Sequence, residues 1–413
     1  MPEKYIVSYR LEDGKNRVYE PETDEITTME KLPHDIGRFI MLNTQDNEAS
    51  DEDLRKYANN FKIWSDELKN SELNILYSEC YSDYTAVSRT FNRFCLKYYK
   101  DHEEITSIEY KWMEKCPNCG IQYLSSEVKN KTLNCFSYDY KSQYGLALNS
   151  RYEISTKQGK EVFLKELTED IEYGYYHVKI TSDDENFKKM FVFSKYNVYH
   201  SYSLQQAIEY KEIYEMKINI ELIQDKEPNA YLYNKNDLVS LKSITTAWYN
   251  NLTKLRKQLP KNKLLKHLIS SAWGHLNAKN YLYLEWEEIQ EKKLNIGVGE
   301  CYEYEIINYY DYGDREYYEL LNTKKPYKHN IRLKPIITAI SRIMTSDIVL
   351  QDINNVVRVH TDSITFTKEH KDIESEKIII EDKTTGLINW TNVNCYKNIT
   401  RDYKSKNYVD VEN

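Results

Sequence analysis

The stretch VVRVHTDSITF, at residues 356–366, sets the polar residues His-Thr-Asp-Ser between two runs of β-branched residues. The flanking runs are typical of β-strands. Asp and Ser are typical of tight turns, because their side chains hydrogen-bond to nearby backbone. The stretch therefore predicts a hairpin with the Asp362 carboxylate at or near its tip. That carboxylate is either a turn former or a metal ligand, and the decision needs partners elsewhere in the chain.

The length of 413 residues predicts two or three substructures, and the 40% hydrophobic content is enough for a real core. No apolar run reaches about 18 residues, so we expect no membrane span and no membrane partner. The first 20 residues are charged and lack the apolar segment of a signal peptide. We therefore expect an intracellular protein that is not secreted, without distinguishing cytoplasm, nucleus and mitochondrion.

The net charge of −8 argues against a protein coated in nucleic acid, because such proteins usually carry a basic field. The charges are unevenly placed, however. Residues 251–267 (NLTKLRKQLPKNKLLKH) form a basic block without acidic residues, whereas the acidic residues concentrate in stretches such as 47–53 and 284–291.

Seven scattered cysteines fit free thiols in a reducing compartment. Cys116 and Cys119 stand in CPNCG, which is half of a zinc site. A structural zinc needs four ligands, and no second Cys-x-x-Cys is present. The sequence leaves open whether this pair binds metal.

Hydrophobic periodicity predicts the main elements. We expect residues 1–70 to be polar and irregular. Helices are predicted over 75–100, over 203–215 with a Ser cap, over 236–259 and 261–277 with a break at Pro260, and over 333–347. Strands are predicted at the start of 132–148, over 172–181 and over 189–200.

Two further stretches carry candidate site residues. In FSYDYKSQYGLA (136–147), Asp139 ends a predicted strand, with Ser142 and Tyr144 three and five positions later. Asp139 is either a metal ligand or a helix cap. In KHLISSAWG (266–274), a helix would place Lys266, Ser270 and Trp273 on one stripe. That stripe could hold a phosphate and a base, or it is an amphipathic face with a solvated lysine.

Together the three stretches resemble family B DNA polymerases, in particular the protein-primed branch of viruses, linear plasmids and organelles. The family motif D-x-x-S-L-Y-P matches residues 139–145, K-x-x-x-N-S-x-Y-G matches 266–274, and Y-x-D-T-D-S matches 358–363. The three matches stand in the family's order, and the resemblance covers about residues 110–385. More weakly, LPHDI (32–36) and ECYSD (79–83, with Cys80 and Asp83) resemble the end of a proofreading exonuclease domain. The D-x-E strand that would supply its other metal ligands is not found.

The resemblance implies an α+β right-hand fold: a palm with an antiparallel sheet, helical fingers and a short thumb, after a truncated exonuclease-like region. The implied divisions are a remnant at 1–110, palm at 111–150, an insertion at 151–235, fingers at 236–294, palm again at 295–375 and a reduced thumb at 376–413.

The implied activity is template-directed DNA synthesis from dNTPs on a primer-template, without proofreading in this chain. Nucleotidyl transfer uses two divalent ions, Mg²⁺ with Mn²⁺ as an alternative. By resemblance, Asp139, Asp362 and the Tyr140 carbonyl bind the ions, and Lys266 meets the triphosphate. Further implied nucleotide contacts are Ser142, Tyr144, Ser270, Ser271, Trp273 and Gly274, and implied DNA contacts are Arg256, Lys263, Thr361 and Ser363. A terminal protein primer or a separate exonuclease-bearing subunit are the implied protein partners.

Three residues depart from the family pattern: His360 replaces Asp, Gly145 replaces Pro, and Ser270 replaces Asn. A histidine near the ions would lower the local negative charge and weaken ion binding. The alternative function is therefore a catalytically degenerate polymerase fold that binds nucleic acid or a partner protein.

Overall fold

The structure is a computed structural model that describes residues 5–11, 15–30, 38–41, 50–80, 82–99, 102–299, 301–311, 316–329 and 331–405. Eleven α-helices lie in these ranges: α1 Asp51–Lys69, α2 Asp83–Tyr99, α3 Ser107–Lys115, α4 Gln143–Leu148, α5 Glu185–Lys188, α6 Ser201–Glu212, α7 Leu241–Gln258, α8 Lys263–Ser270, α9 Ala272–Leu276, α10 Trp286–Lys292 and α11 Lys334–Val349. Within the described ranges, no helix combines the length and the apolar character that a bilayer span requires.

The same ranges contain 22 β-strands: β1 Tyr5–Arg10, β2 Asn16–Glu20, β3 Glu25–Met29, β4 Arg38–Met41, β5 Gln122–Leu124, β6 Thr132–Tyr140, β7 Glu153–Ser155, β8 Lys160–Val162, β9 Gly174–Thr181, β10 Val198–His200, β11 Asn219–Leu222, β12 Ala230–Leu232, β13 Leu238–Ser240, β14 Tyr281–Glu285, β15 Tyr304–Asp311, β16 Glu316–Asn322, β17 Val356–His360, β18 Ser363–Phe366, β19 Ile378–Ile380, β20 Gly386–Asn392, β21 Cys395–Asn398 and β22 Tyr403–Lys404.

The chain divides into two compact units, the first formed by residues 1–96 and 245–275 and the second by 97–244 and 276–413. In the first unit, a four-stranded sheet of order β3-β2-β1-β4 packs against α1. A capping box starts α1, in which Ser50 and Asp53 hydrogen-bond each other's backbone N–H groups. Apolar residues recur on one face of α1 at helical spacing and are buried there: Leu54, Ala58, Phe61, Trp64 and Leu68.

The second unit is built on an eight-stranded sheet, in which β22-β21-β20-β6-β18-β17-β5 follow one another and β19 also pairs with β6. Strand β6 is central, and it is antiparallel to β18, β19 and β20. Alternate residues of these strands point to opposite faces. One face is apolar and belongs to a core shared with residues of α6 and α11, including Tyr138, Tyr140, Ile348, Val359 and Ile364. The polar residues of the strands therefore collect on the other face.

Smaller sheets complete the second unit. Strands β10-β9-β12-β8 form one sheet, with β11 also paired to β9, and β13 pairs with β7. Strands β14-β16-β15 form a separate three-stranded antiparallel sheet. A buried ion pair joins α3 to the chain before α11, where the Arg332 guanidinium donates to the Glu109 carboxylate and both side chains are almost fully inaccessible.

Several predicted elements are confirmed: the hairpin of β17 and β18, helices α6 and α11, strand β9, and the break near Pro260 between α7 and α8. Residues 1–70 are wrongly predicted as irregular, because they contain β1–β4 and α1. The cap of α6 is His200 rather than Ser. Of the predicted strand 189–200, only Val198–His200 is a strand. The apolar residues Met190 and Phe191, which contributed to the predicted pattern, are buried in the core outside any strand. The predicted divisions into palm, fingers and thumb stay predictions.

Candidate active site

A strained two-residue turn carries the Asp362 carboxylate. Strand β17 ends at His360 and β18 begins at Ser363, so Thr361 and Asp362 form the turn. The φ angle of Thr361 is +58°, and Thr361 is the only β-branched residue with positive φ in the described part of the chain. Such a conformation costs about 1–3 kcal/mol and persists only where the surroundings impose it. Strain of this kind is concentrated at functional sites.

Three contacts hold the turn in place. The Thr361 N–H donates to the Ile121 carbonyl at 2.8 Å, and the Thr345 hydroxyl donates to the Thr361 carbonyl at 2.9 Å. A Cβ atom on Gly120 would lie 2.8 Å from Thr361 Cα, so only glycine fits beneath the turn. The CPNCG segment, which ends at this glycine, is therefore part of the support of the hairpin.

The two predicted metal-binding aspartates lie on β6 and in the turn before its neighbour β18. Asp139, near the end of β6, is the cross-strand partner of Ser363 in β18. The Tyr140 N–H donates to the Asp362 carbonyl at 3.0 Å. The sheet therefore brings together two residues that are far apart in the sequence. Asp139 does not cap a helix, because the residue that precedes α4 is Ser142.

His360 lies in the same cross-strand row as Asp139. His360 pairs with Ser363, which pairs with Asp139, so the two outer residues are two interstrand spacings apart, about 10 Å. Burial lowers the pKa of His360, the charge of Arg358 lowers it further, and Glu381 opposes both. His360 is therefore uncharged at neutral pH, and it adds no positive charge beside the aspartates.

A buried arginine lies under this face. Arg358 is 4% exposed, its guanidinium carbon lies 4.7 Å from the centre of the Trp390 ring, and its Nε donates to the Val393 carbonyl at 2.8 Å. Burial lowers the pKa of Arg358, and the charges of Glu381, Asp139 and Asp362 oppose this shift. The positive charge of Arg358 therefore interacts with the carboxylates of both predicted metal ligands.

Glu381 adds a third carboxylate to the cluster. Its Oε2 accepts hydrogen bonds from the hydroxyls of Ser363, at 2.6 Å, and Thr384, at 2.8 Å. The Ser363 oxygen in turn accepts from Arg358 Nη1 at 3.2 Å. Ser363 is thus buried and links Glu381 to Arg358, and its predicted contact with DNA stays a prediction.

The loop after β6 also has a left-handed residue. Ser142 has φ +58° and precedes α4 without capping it. Gln143 fixes α4 to α11, since its amide nitrogen donates to Thr345 Oγ1 at 2.8 Å and its amide oxygen accepts from the Ser341 hydroxyl. Burial raises the pKa of the Tyr144 phenol, and the Asp362 charge raises it further. The Asp362 charge therefore acts on Tyr144, and the predicted contact of Tyr144 with a nucleotide stays a prediction.

The donor set fits divalent magnesium. Mg²⁺ is commonly held by one or two carboxylates together with water and substrate phosphate oxygens. Asp139 and Asp362 are two such carboxylates, and the described residues contain no group of three or more His, Cys, Asp or Glu side chains arranged to hold a metal.

The predicted lysine-bearing stretch lies in the first unit. Lys266 is exposed on α8 and Trp273 is half-buried in α9. The predicted helix over 261–277 is divided at Ser271, because α8 ends at Ser270 and α9 starts at Ala272, and the shared stripe of Lys266, Ser270 and Trp273 stays a prediction. The Ser270 and Ser271 hydroxyls donate to the backbone carbonyls four residues earlier. Such bonds compete with the helical ladder and bend helices.

The remaining predicted contacts in this unit lie on or near the same helices. Gly274 is exposed, with open space around its Cα. Lys263 is exposed and its ammonium lies 5.6 Å from the centre of the Trp64 ring. Arg256 is half-buried in the last turn of α7. The predicted contacts of these residues with nucleotide or DNA stay predictions.

Asp83, the residue of the exonuclease-like motif, has protein partners in the first unit. Its Oδ1 accepts from the Tyr77 hydroxyl at 2.9 Å, and its Oδ2 lies 3.7 Å from His267 Nε2. These contacts tie α2 to α8. LPHDI, at residues 32–36, lies outside the described residues.

The cysteine pair of CPNCG is divided between the interior and the surface. Cys116 is buried and donates to the Trp112 carbonyl, and Cys119 is exposed.

Sequence reasoning missed Arg358 and Glu381. Arg358 was visible as a charged residue in an otherwise apolar strand, which requires a buried partner. No comparable sequence signal marks Glu381, because its position beside Ser363 follows from the pairing of β19 with β6.

Comparisons with known proteins agree with this architecture. No protein-family model and no curated protein sequence matches the chain. Solved structures of Phi29 DNA polymerase match 88% of it. They include an orthorhombic crystal form (TM-score 0.52, 13% identity), a post-translocation complex with primer-template DNA (0.54, 12%) and a ternary complex with primer-template DNA and incoming nucleotides (0.53, 13%). The chain spans 62–63% of the length of those polymerases. It therefore has a DNA polymerase fold over most of its length.

Proposed function

We propose that this chain is a template-directed DNA polymerase that transfers nucleotides from dNTPs to a primer 3′-hydroxyl. The observation that carries the proposal is the placement of Asp139 on β6 beside the turn that carries Asp362, where Ser363 pairs with Asp139 and the Tyr140 N–H donates to the Asp362 carbonyl. The fold shared with Phi29 DNA polymerase, which is solved in complex with primer-template DNA and incoming nucleotides, supports it. In family terms, the sheet with β6, β17 and β18 is the palm, 236–294 the fingers and 376–413 a reduced thumb.

Asp139, Asp362 and the Tyr140 carbonyl would hold two Mg²⁺ ions, or Mn²⁺ in their place. When bound, the ions would activate the primer hydroxyl and stabilise the leaving pyrophosphate. Tyr144 would pack against the sugar, a role that the resemblance implies. Glu381 and Arg358 act as positioning residues, because they fix the start of β18 next to Asp362.

Lys266 would neutralise charge on the incoming triphosphate, and its exposed position on α8 leaves the ammonium accessible. The chain would not proofread, because the D-x-E strand that would supply the partner carboxylates of Asp83 is not found. A separate exonuclease-bearing subunit would then supply that activity, and a terminal protein or a DNA strand would supply the primer. These finer features rest on the resemblance to the protein-primed branch of family B.

The test is primer extension with purified protein in Mg²⁺ and in Mn²⁺. We expect Asp139→Asn and Asp362→Asn to lower incorporation by at least about 10²–10³-fold, the scale of losing one preorganised charge. Asp225→Asn, which removes an exposed carboxylate whose contacts are His177 and the Glu227 N–H, is the matched control and should retain activity. Lys266→Ala should lower incorporation by about 10²-fold while duplex affinity changes much less.

Mn²⁺ binding, measured by calorimetry, gives a second readout that is independent of turnover, and it should weaken in both aspartate variants. The alternative is a degenerate polymerase fold, and His360 in place of the family aspartate is the observation that favours it. If folded wild-type protein binds DNA but extends no primer with either ion, the polymerase proposal fails and the degenerate fold is supported.

A further inference from the structure

The segment 281–322 carries the negative charge of the protein. It contains eleven acidic and three basic residues, so its net charge of −8 equals that of the whole chain. The other 371 residues therefore carry equal numbers of acidic and basic residues and no net charge. The segment also contains nine of the 39 tyrosines, together with Trp286. Most of these acidic and aromatic residues lie in the sheet β14-β16-β15 and its helix α10.

The interior of this sheet is well ordered. Glu319 on the central strand β16 is 7% exposed, and its carboxylate accepts from the hydroxyls of Tyr283, at 2.6 Å, and Tyr310, at 3.0 Å. On the opposite face, the Tyr318 ring lies between those of Trp286 and Tyr309, with centroid distances of 5.4 and 5.3 Å. The sheet therefore needs no partner to order its centre.

Unlike the centre of the sheet, the outer strand β15 exposes large apolar residues. Ile306 is 42% exposed, Ile307 43% and Tyr309 47%. Apart from one bridge between Ile296 and Tyr304, β15 pairs only with β16 in the described part of the chain. Natural edge strands are often protected by charged side chains, especially lysine, by proline or by a β-bulge. The eight residues of β15, YEIINYYD, include no lysine or proline; the strand has a bulge at Ile307, and its two charged residues, Glu305 and Asp311, are both acidic.

The charge of the segment decides which partner fits. A surface that binds DNA neutralises phosphates with lysine and arginine, and this segment has the opposite charge. Acidic residues beside exposed tyrosines attract cationic side chains, both as ion pairs and over the ring faces. An open strand edge adds backbone hydrogen bonds to an extended peptide.

We propose that β15 is a docking edge for an extended segment of a partner protein, in which lysine or arginine alternates with apolar residues. The segment adds a strand to the sheet, its apolar side chains cover Ile306 and Ile307, and its cations meet the surrounding carboxylates. The proposal does not depend on the polymerase activity proposed above.

A fluorescein-labelled nine-residue peptide that alternates lysine with isoleucine or valine tests the proposal by fluorescence anisotropy with the full chain. We expect saturable binding, and we expect Ile307→Lys to weaken it about tenfold or more. Ile307 is exposed at a β-bulge, so the variant should fold, which circular dichroism checks. Ile213→Lys, the same change at an exposed isoleucine outside the segment, should bind like wild type.

Two altered peptides separate strand addition from charge attraction alone. A peptide with glutamate in place of lysine should not bind. A peptide N-methylated at alternate residues keeps its charge but loses backbone donors, and it should bind at least about tenfold more weakly. Equal binding of the N-methylated peptide, or equal binding to the Ile307→Lys variant, would overturn the proposal. So would displacement of the peptide by excess primer-template DNA, or self-association through this edge that excludes the peptide.

Discussion

Gly120 controls the position of Asp362 through a contact that no sequence pattern reveals. A Cβ at this position would meet both the backbone and the side chain of Thr361, which is held rigidly. We expect Gly120→Ala to lower the unfolding free energy by about 1–3 kcal/mol, as overpacking does, and to lower nucleotide incorporation because Asp362 moves. Gly274→Ala is the control for urea unfolding. It has open space and lies in a helix, so it should leave stability equal or higher by up to about 1 kcal/mol.

His360 gives the site a pH dependence of known sign. Its folded-state pKa lies below the unfolded value of about 6.5. The imidazole is therefore neutral above that pH, and the stability it contributes is lost as pH falls below about 6.5. Protonation would also add positive charge on the face of Asp139, so we expect incorporation to fall on the acidic side.

The pH profile of incorporation by His360→Asn checks this prediction, because asparagine does not titrate. The variant should keep activity at pH 8 and show a smaller decline toward pH 5.5 than wild type. His360→Asp, which restores the family residue, should hold or raise activity in Mg²⁺. Identical acidic limbs in wild type and His360→Asn would contradict the role given to the imidazole.

At the scale of elements, Asn262 fixes the start of α8, the helix that carries Lys266. Asn262 is buried, its Oδ1 accepts from the Leu265 N–H at 2.9 Å, and its Nδ2 donates to the Trp64 carbonyl and to Glu67. Asn262→Ala removes a helix cap and leaves a buried carbonyl without its donor. We expect a loss of roughly 2–4 kcal/mol in unfolding free energy.

Asn234 is the matched control for that change, because it caps a short 3₁₀ turn in the same way but is exposed. Asn234→Ala should cost at most about 1 kcal/mol. Chemical unfolding followed by tryptophan fluorescence measures both variants. Equal losses would show that burial of the Asn262 side chain is not what anchors α8.

Sequence patterns predicted the elements whose periodicity is strong and failed where it is weak. Helix α11 and the hairpin of β17 and β18 have long apolar patterns. Strands β1–β4 are only four to six residues long and are separated by polar stretches, and their pairing is set by the sheet rather than by local residues. Helix α1 was predictable in principle, since Ser50 and Asp53 form a capping box before a helical apolar stripe. The candidate site could be predicted in part, because motif order pairs Asp139 with Asp362, while the Arg358–Glu381 network depends on register.

At the scale of the whole molecule, buried neutral histidines make the fold sensitive to acid. His200 is 1% exposed and accepts from the Tyr202 N–H, and burial, aided by Arg342, lowers its pKa to about 3. As pH falls, His200 binds a proton near pH 6.5 in the unfolded chain, whereas in the folded chain it does so only near pH 3. Stability therefore falls as pH drops below about 6.5, by about 2 kcal/mol at pH 5 for this residue.

Urea unfolding at pH 8 and pH 5 measures this linkage. His200→Asn keeps an acceptor for the cap and removes the titration. The variant is expected to be less stable than wild type at pH 8 but to lose less stability between the two pH values. An unchanged difference between pH 8 and pH 5 would assign the acid sensitivity to other groups.

The pairing of β6 has a consequence for biosynthesis. All of its neighbours, β18, β19 and β20, lie more than 220 residues later in the chain, and the last of them ends at Asn392. A ribosome that adds about 5–20 residues per second therefore leaves β6 without its full set of neighbours for roughly 13–50 seconds after the strand is made. During that interval the nascent chain presents a nine-residue strand to any chaperone, or to any other nascent chain on the same messenger RNA.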